Sequence, residues 1–334
     1  MNVFVHTQFD AIYRDRPLVL ADVGARGGLK SNWQVARPHL RVLGFEPDVQ
    51  EFTRLVAQHP PQPGGDAVFN VALHSQAGTI TLNVARDAGL SSIFEPNYDF
   101  LRAFPHVDRF DILDRRAVAT DTLDHVLESH GISSLDFIKV DTQGSELGVL
   151  EGAARSLDTA VTGVEAEIEF APIYQNQPLF ADVDRYLRGH GFLLFDLRPC
   201  YWKREGGRTA GGPYGQIIWG DALYLKSIPA LRQLLQALPP AERKSKLLKA
   251  VSVALLYGYA DYALEIARDQ SDVLTDDERR LIATALGSDA SSGAEPTIPG
   301  RRQLASALNK LATRVREPND AWSVSDPALG NPPR

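Results

Sequence analysis

Two stretches of the chain put acids and glycines where apolar runs end, the pattern of a small-molecule site at the edge of a sheet. In VLADVGARGG, Val19 to Gly28, an apolar run ends in Asp22 and passes at once into Gly24, Gly27 and Gly28. Glycines there let the backbone turn tightly and approach a nucleotide or amino-acid ligand closely. The next apolar run ends in Gly44, Phe45 and Glu46. A carboxylate at the tip of an adjacent strand can accept hydrogen bonds from both hydroxyls of a ribose. The glycine spacing departs from the G-x-G-x-x-G that seats a pyrophosphate, and Asp22 would repel a phosphate while accepting a bond from an ammonium. A ribose, a cationic sulfonium and an amino-acid tail without phosphate, as in S-adenosylmethionine, suit these residues better than a dinucleotide does.

The second stretch is FIKVDTQGSE, Phe137 to Glu146, an apolar strand with Lys139 inside it that ends at Asp141 and turns through Gly144 towards a helix. Ligands of open α/β sheets collect at the carboxyl ends of the strands, so Asp141 is expected to share a crevice with Gly24 and Glu46. In VEAEIE, Val164 to Glu169, alternation puts Glu165, Glu167 and Glu169 on one strand face. Three carboxylates there must lie at the open end, pair with a partner such as Lys139, or hold a metal. His74, His106 and His190 are further candidate bases. Between Ile93 and Ala119 an insert rich in aromatic residues and Arg offers Tyr98, Phe100, Arg102 and Phe104. Those side chains would line a lid or a carbohydrate platform, or else pack the insert onto the sheet.

These residues need a parallel sheet to hold them. Short apolar runs alternate with segments of helical period over the first two thirds of the chain. The expected strands are Leu18 to Asp22, Arg41 to Glu46, Asp66 to Ala72, Ile80 to Val84, Phe137 to Asp141 and Gly163 to Ile168, followed by an antiparallel pair, Phe192 to Leu197 and Gly215 to Leu225. Helices are expected over Asn32 to Leu40, Asp48 to Gln58, Thr122 to His130, Ser145 to Ser156 and Phe180 to His190. From Ile228 the apolar residues recur at helical spacing, which makes residues 228–287 a helical appendage to a domain over 1–227. ALLYGYADYALEIA, Ala254 to Ala267, has the rhythm of a tetratricopeptide helix pair in a single copy, or of a plain helical hairpin. Residues 288–300 read as a flexible linker and 317–334 as a disordered tail. Between them, residues 301–316 carry Arg301, Arg302, Lys310, Arg314 and Arg316 with no acid, and Leu304, Leu308, Leu311 and Val315 on one face. Such a helix suits an anionic membrane surface, an acidic partner, or the acidic body of its own chain.

The 334 residues carry a net charge of −7, which argues against a surface built for nucleic acid. A single cysteine, Cys200, excludes an internal disulfide and a thiolate zinc cluster. Met1 to Asp10 lacks the basic start and apolar run of a signal peptide, and a cytoplasmic location, at most peripheral to a membrane, is expected.

The run TLDHVLESHGISSLDFIKVDTQGSELGVLEGA, Thr122 to Ala153, together with DVGARGG, SSIF at Ser91 to Phe94, IYQNQPLF and GFLLFDL, resembles the FkbM family of S-adenosylmethionine-dependent methyltransferases over roughly residues 15–227. The resemblance implies a Rossmann-like class I methyltransferase fold: an α/β, mostly parallel, seven-stranded sheet with a C-terminal antiparallel hairpin. It also implies methylation of a hydroxyl on a sugar, polysaccharide or polyketide-type product, of which a sugar, polysaccharide or glycosylated precursor is the expected acceptor. By position, Asp22, Gly24 and Gly28 match the cofactor glycine motif and Glu46 the ribose acid, with Ala25, Arg26, Pro47, Ala72 and Leu73 beside them. Arg26 stands where the family pattern leads one to expect Asn. Lys139, Asp141, Gly144 and Glu146 match the family's lysine, aspartate, glycine and glutamate signature. Ser91, Ser92, Tyr98, Arg102 and Glu146 are the expected acceptor-side residues. For such a reaction Asp141, with Lys139 and Glu167 near it, would act as base or, with Glu167, hold a divalent metal. An inactive scaffold working through its helical appendage and a nicotinamide-dependent oxidoreductase are the rival readings.

Overall fold

The computed structural model describes residues 13–58, 60, 64–280, 282–283, 303–304, 306–308, 310–311, 321–325 and 329–331. The LVLADV run forms β1 (Leu18–Val23), buried at all six positions. A nine-residue 3₁₀ stretch, Ser31–His39, leads into β2 (Leu40–Phe45). Helix α1 (Val49–Gln58) follows, capped by the Asp48 carboxylate, which accepts from the Gln50 and Glu51 amides at 2.9 and 3.0 Å. Then come β3 (Ala67–Phe69), β4 (Ala72–Leu73), β5 (Gly78–Ala85), the short helix α2 (Tyr98–Leu101) and β6 (Ile112–Asp121). Next are α3 (Leu123–Ser129), capped by Thr122, β7 (Phe137–Val140), α4 (Glu146–Glu151), α5 (Ala154–Thr159) and β8 (Gly163–Glu169). The chain continues through α6 (Phe180–Gly189), β9 (Phe192–Trp202), β10 (Gln216–Lys226), α7 (Ile228–Gln236), α8 (Pro240–Leu256), α9 (Ala260–Asp269) and β11 (Ser323–Ser325).

The main sheet has the order β11-β9-β10-β8-β7-β1-β2-β3. Strands β8, β7, β1, β2 and β3 are mutually parallel, while β10 runs antiparallel to both β8 and β9. Without the added edge strand β11, the remaining seven strands form a mostly parallel sheet with its reversed strand inserted near one edge, the class I methyltransferase topology, and they place the β1, β2 and β7 tips side by side. Two expectations are corrected here. Ile80 to Val84 lies in β5, which belongs to a separate three-stranded sheet of order β4-β6-β5, not to the main one. Its ladder partner β6 comes from the Ile93 to Ala119 insert and its end, with Ile80 opposite Val118 and Leu82 opposite Arg116. Residues 321–325, expected in a disordered tail, also take a defined place. Ser323–Ser325 extends the main sheet as β11 along β9, and Trp322 packs against Trp202 with ring centroids 5.2 Å apart. The linker at 288–300 lies outside the described residues, as do parts of the basic stretch; within the latter, Leu304, Leu308 and Leu311 are exposed.

One face of the sheet, with Val19, Ala21, Val23, Ile138, Val140 and Val164, is covered by α3 to α6. The other carries Leu18, Leu20, Phe137, Leu223 and Leu225, and the 3₁₀ crossover between β1 and β2 is too short to cover it. Helices α7 to α9 fill that place, with Leu231, Leu235, Leu248, Val251 and Ile266 in the same buried cluster as the strand residues. Trp33 from the crossover and Tyr257 from the C-terminus of α8 both meet Phe137, at 4.9 and 5.7 Å between ring centroids. The three helices that the composition sets apart thus share one core with the sheet.

Candidate active site

At the carboxyl ends of the strands a cleft of about 370 Å³ opens between the main sheet and the small one. Gly24 and Arg26 follow β1, Glu46, Pro47 and Asp48 follow β2, and Asp141, Thr142, Gln143 and Ser145 follow β7; all of them line the cleft. Glu167 on β8 closes one end, and Ala72, Leu73, Ile80, Leu82, Ser91 and Val118 form an apolar wall contributed chiefly by the small sheet. An ion pair of 2.7 Å from Arg116 on β6 to Asp48 ties that wall to the tip of β2.

The β1 loop is built to lie against the β7 tip. Gly24 has φ +74°, and a Cβ at this position would run into the main-chain carbonyl oxygen of Asp141. Only glycine therefore lets the two strand ends meet. The Gly24 and Ala25 amides both donate to the Phe45 carbonyl, at 3.1 and 3.2 Å, which fixes the loop to β2 as well. Glu46 is 4% exposed and accepts from the Asp48 amide at 2.9 Å. Burial pushes its carboxyl above the ordinary value, against the opposing pull of that amide and of Arg26.

Behind the cleft wall Lys139 ties together the ends of β1 and β7. Its ammonium donates to the Gly24 carbonyl at 3.1 Å and stands 3.2 Å from Asp22 Oδ1 and 3.7 Å from Asp141 Oδ2. Burial pulls the Lys139 ammonium down, but the carboxylates of Asp141 and Asp22 outweigh it and leave it above its ordinary value. Neither Lys139 nor Asp22 lines the cleft. Asp22, Ala25 and Gly28 border a neighbouring cavity on the other side of the loop, and burial raises the Asp22 carboxyl in spite of Lys139.

At the β7 tip Gln143 is the hub, although nothing in its residue type marks it in the sequence. Its backbone is left-handed, φ +57°. Its Nε2 donates to Asp141 Oδ1 at 3.2 Å and to Glu167 Oε1, and its Oε1 accepts from the Tyr174 hydroxyl at 3.1 Å. Burial first, then the charge of Asp141, pushes the Glu167 carboxyl well above the ordinary range. Glu146 is turned inward, where it accepts from the Thr142 amide at 2.7 Å and the Gly144 amide at 3.0 Å and so shapes the turn rather than facing the cleft. Ser92 likewise works from behind, donating to the Gln143 carbonyl at 2.6 Å, whereas Ser91 lines the cleft.

Tyr98 and Arg102 do not reach the cleft. The Tyr98 hydroxyl donates to the Phe110 carbonyl at 3.2 Å, and Arg102 is exposed beside it. The aromatics of the insert instead pack together, Phe104 on Phe100 and on Trp202 at 5.2 and 5.6 Å. Of the histidines, His74 abuts Gly148, His106 lies near Trp322, and His190 pairs with Asp158 at 2.7 Å; none lines the cleft. Among the described residues no three His, Cys, Asp or Glu side chains are grouped to hold a metal ion. Asp141 and Glu167 are bridged by an amide donor, and the nearby Glu146 is committed to backbone amides, so this donor set does not fit a divalent cation.

Topology and cleft together define a class I methyltransferase. The sequence matches the Methyltransferase FkbM domain over residues 22–194, and the chain belongs to the FkbM methyltransferase family. It is 27% identical over 188 residues to the 2-O-methyltransferase NoeI of Sinorhizobium fredii (strain NBRC 101917 / NGR234), covering 54% of this chain and 75% of that one. Looser likenesses run to solved structures. Magnesium protoporphyrin IX methyltransferase (ChlM) from Synechocystis PCC 6803 with bound SAM is 10% identical, with a TM-score of 0.30 and coverage of 66% of this chain and 77% of that chain. Precorrin-6y C5,15-methyltransferase from Geobacter metallireducens GS-15 is 11% identical, with a TM-score of 0.31 and coverage of 67% and 90%. No helix among the described residues is long and apolar enough to cross a membrane.

Proposed function

We propose that the protein is an S-adenosylmethionine-dependent O-methyltransferase whose acceptor is a hydroxyl of a sugar, polysaccharide or glycosylated precursor. The observation that carries this reading is the cleft itself, which Glu46 on the β2 tip, the close-packed Gly24 loop, Asp141 and Glu167 all line. Glu46 would accept bonds from the ribose hydroxyls, while Ala72 and Leu73 offer an apolar wall for the adenine. The methyl group on the cationic sulfur is what the bound cofactor supplies. The residues of the chain then have to align a hydroxyl and remove its proton. Asp141, with the Lys139 ammonium beside it, would take that proton, and Glu167, whose carboxyl is pushed up by burial and by the charge of Asp141, would act as its hydrogen-bonding neighbour through Gln143. The 2-O-methyl transfer named for the relative favours oxygen as the acceptor atom, and the FkbM resemblance favours a carbohydrate.

Calorimetric titration with S-adenosylmethionine tests the cofactor half, with NAD as the control. Wild type should bind S-adenosylmethionine, and Glu46→Ala should weaken it about tenfold or more through loss of charge-assisted bonds. Binding of NAD in its place would overturn the reading. Transfer of labelled methyl groups to a panel of glycans tests the other half. Asp141→Asn should retain cofactor binding and lose about 10²- to 10⁴-fold in rate; an unchanged rate would remove Asp141 as the base.

A further inference from the structure

At the opposite end of the sheet from the cleft, a second cavity of about 530 Å³ lies where α8 crosses the amino ends of β1, β7 and β8. Its inner wall holds an unbalanced charge cluster. Asp136 is fully buried and accepts from the Val19 amide at 2.8 Å, from Lys249 at 2.9 Å and from Lys246. Lys246 spends its remaining donors on the Leu135 and Ala160 carbonyls, at 2.8 and 2.9 Å. Lys249 is 3% exposed and has Asp136 as its partner. Two buried ammonium groups thus face one carboxylate, and removing an unmatched charge from water is costly. Burial lowers the Lys246 ammonium and Lys249 lowers it further, although Asp136 draws it up. Beside Lys249, one turn earlier on α8, Ser245 is 5% exposed and its Oγ has no hydrogen-bond partner. A buried hydroxyl without a partner forfeits free energy unless something else bonds to it. Ser245, Lys246 and Lys249 all line the cavity, and Arg16 and Arg41 line it too, with Asp15 and Glu242 as the acids among the lining residues.

We propose that this cavity is a binding site for a small phosphate-type oxyanion, held by the Lys249 ammonium and the Ser245 hydroxyl with Arg16 and Arg41 beside them. An oxyanion there balances the second buried lysine, gives Ser245 an acceptor, and fastens α8 to the strand ends. Since the cavity is separated from the cleft by the length of the strands, the proposal stands independently of the methyl-transfer reading.

The test is a titration of the full-length protein with inorganic phosphate at constant ionic strength, read by calorimetry and by thermal unfolding. Saturable binding with a rise in melting temperature is expected, where chloride at the same ionic strength gives none. Lys249→Met should weaken phosphate about tenfold or more, the loss of a charged hydrogen bond. Ser245→Ala leaves the charges in place, guards against a Lys249→Met chain that fails to fold, and should weaken binding severalfold. Absence of saturable binding, an equal response to chloride, or phosphate binding untouched by either substitution would overturn the proposal. A second arm with glucose 6-phosphate identifies the source. Tighter, Lys249-dependent binding of the ester assigns the site to a phosphomonoester, and equal or weaker binding assigns it to the free ion.

Discussion

Glu146 shows how much of the site is held by side chains that never face it. It is 2% exposed, and burial pushes its carboxyl up to about 7 from an ordinary 4.5, against the amides of Glu146 itself and of Thr142. The folded chain therefore keeps a proton on Glu146 over a pH range in which the unfolded chain has released it. Where the folded state binds more protons, stability falls as pH rises, here between about pH 4.5 and pH 7. Glu146→Gln removes this dependence, so wild type should lose on the order of 3 kcal/mol relative to the variant across that window, as read by urea unfolding at a series of pH values. A difference that stays flat with pH would mean that Glu146 is ionised throughout. Gly24, Glu46 and Asp141 were legible as cleft residues because their types are unusual at the end of an apolar run. Asp22 and Lys139 were legible as charged groups at the strand ends, but which side of the loop they face depends on backbone path, which the residue types do not encode. Gln143 carried no signal of its own, since its role comes from a left-handed turn that brings it between Asp141, Glu167 and Tyr174.

The parallel strands announced themselves as elements because burial on both faces demands continuous apolar sequence. Strand β5 was equally visible, yet its sheet was not, because alternation records that one face is covered and not which neighbour covers it. Its partner β6, ILDRRAVATD, is exposed at five of its ten positions and reads as a charged loop. The cost was the apolar wall of the cleft, which Ile80, Leu82 and Val118 supply through that pairing. The crossover before β2 has a different lesson. Trp33, 1% exposed, is the piece of that short segment that meets both Phe137 of β7 and Tyr257 of α8. Trp33→Ala should cost about 3–5 kcal/mol in urea unfolding, the usual penalty for emptying an aromatic site in a core. A loss below about 1 kcal/mol would show that the helices close over the gap by themselves.

Across the whole molecule, the C-terminal residues return to the sheet. β11 covers the outer edge of β9, and Trp322 sits on Trp202 and under the Arg109 guanidinium, 4.7 Å from its ring centroid. Deleting residues 321–334 should lower stability by about 1–3 kcal/mol and leave an open strand edge that pairs with other copies, seen as a lower melting temperature and increased light scattering. Unchanged melting and scattering would make the strand incidental. Polar, Pro-rich composition hid this segment, because three residues added to an existing edge need little apolar sequence of their own. The placement of α7 to α9 reaches further, into the way the chain is made. Leu18, Leu20 and Phe137 leave the ribosome long before Leu231, Leu248 and Val251, the residues that cover them. The first two thirds of the polypeptide must therefore wait, with one side of the growing sheet bare, until residues beyond 228 have been translated. During that interval the nascent chain is exposed to misassociation, and its dependence on chaperones should follow the rate at which the last third is synthesised.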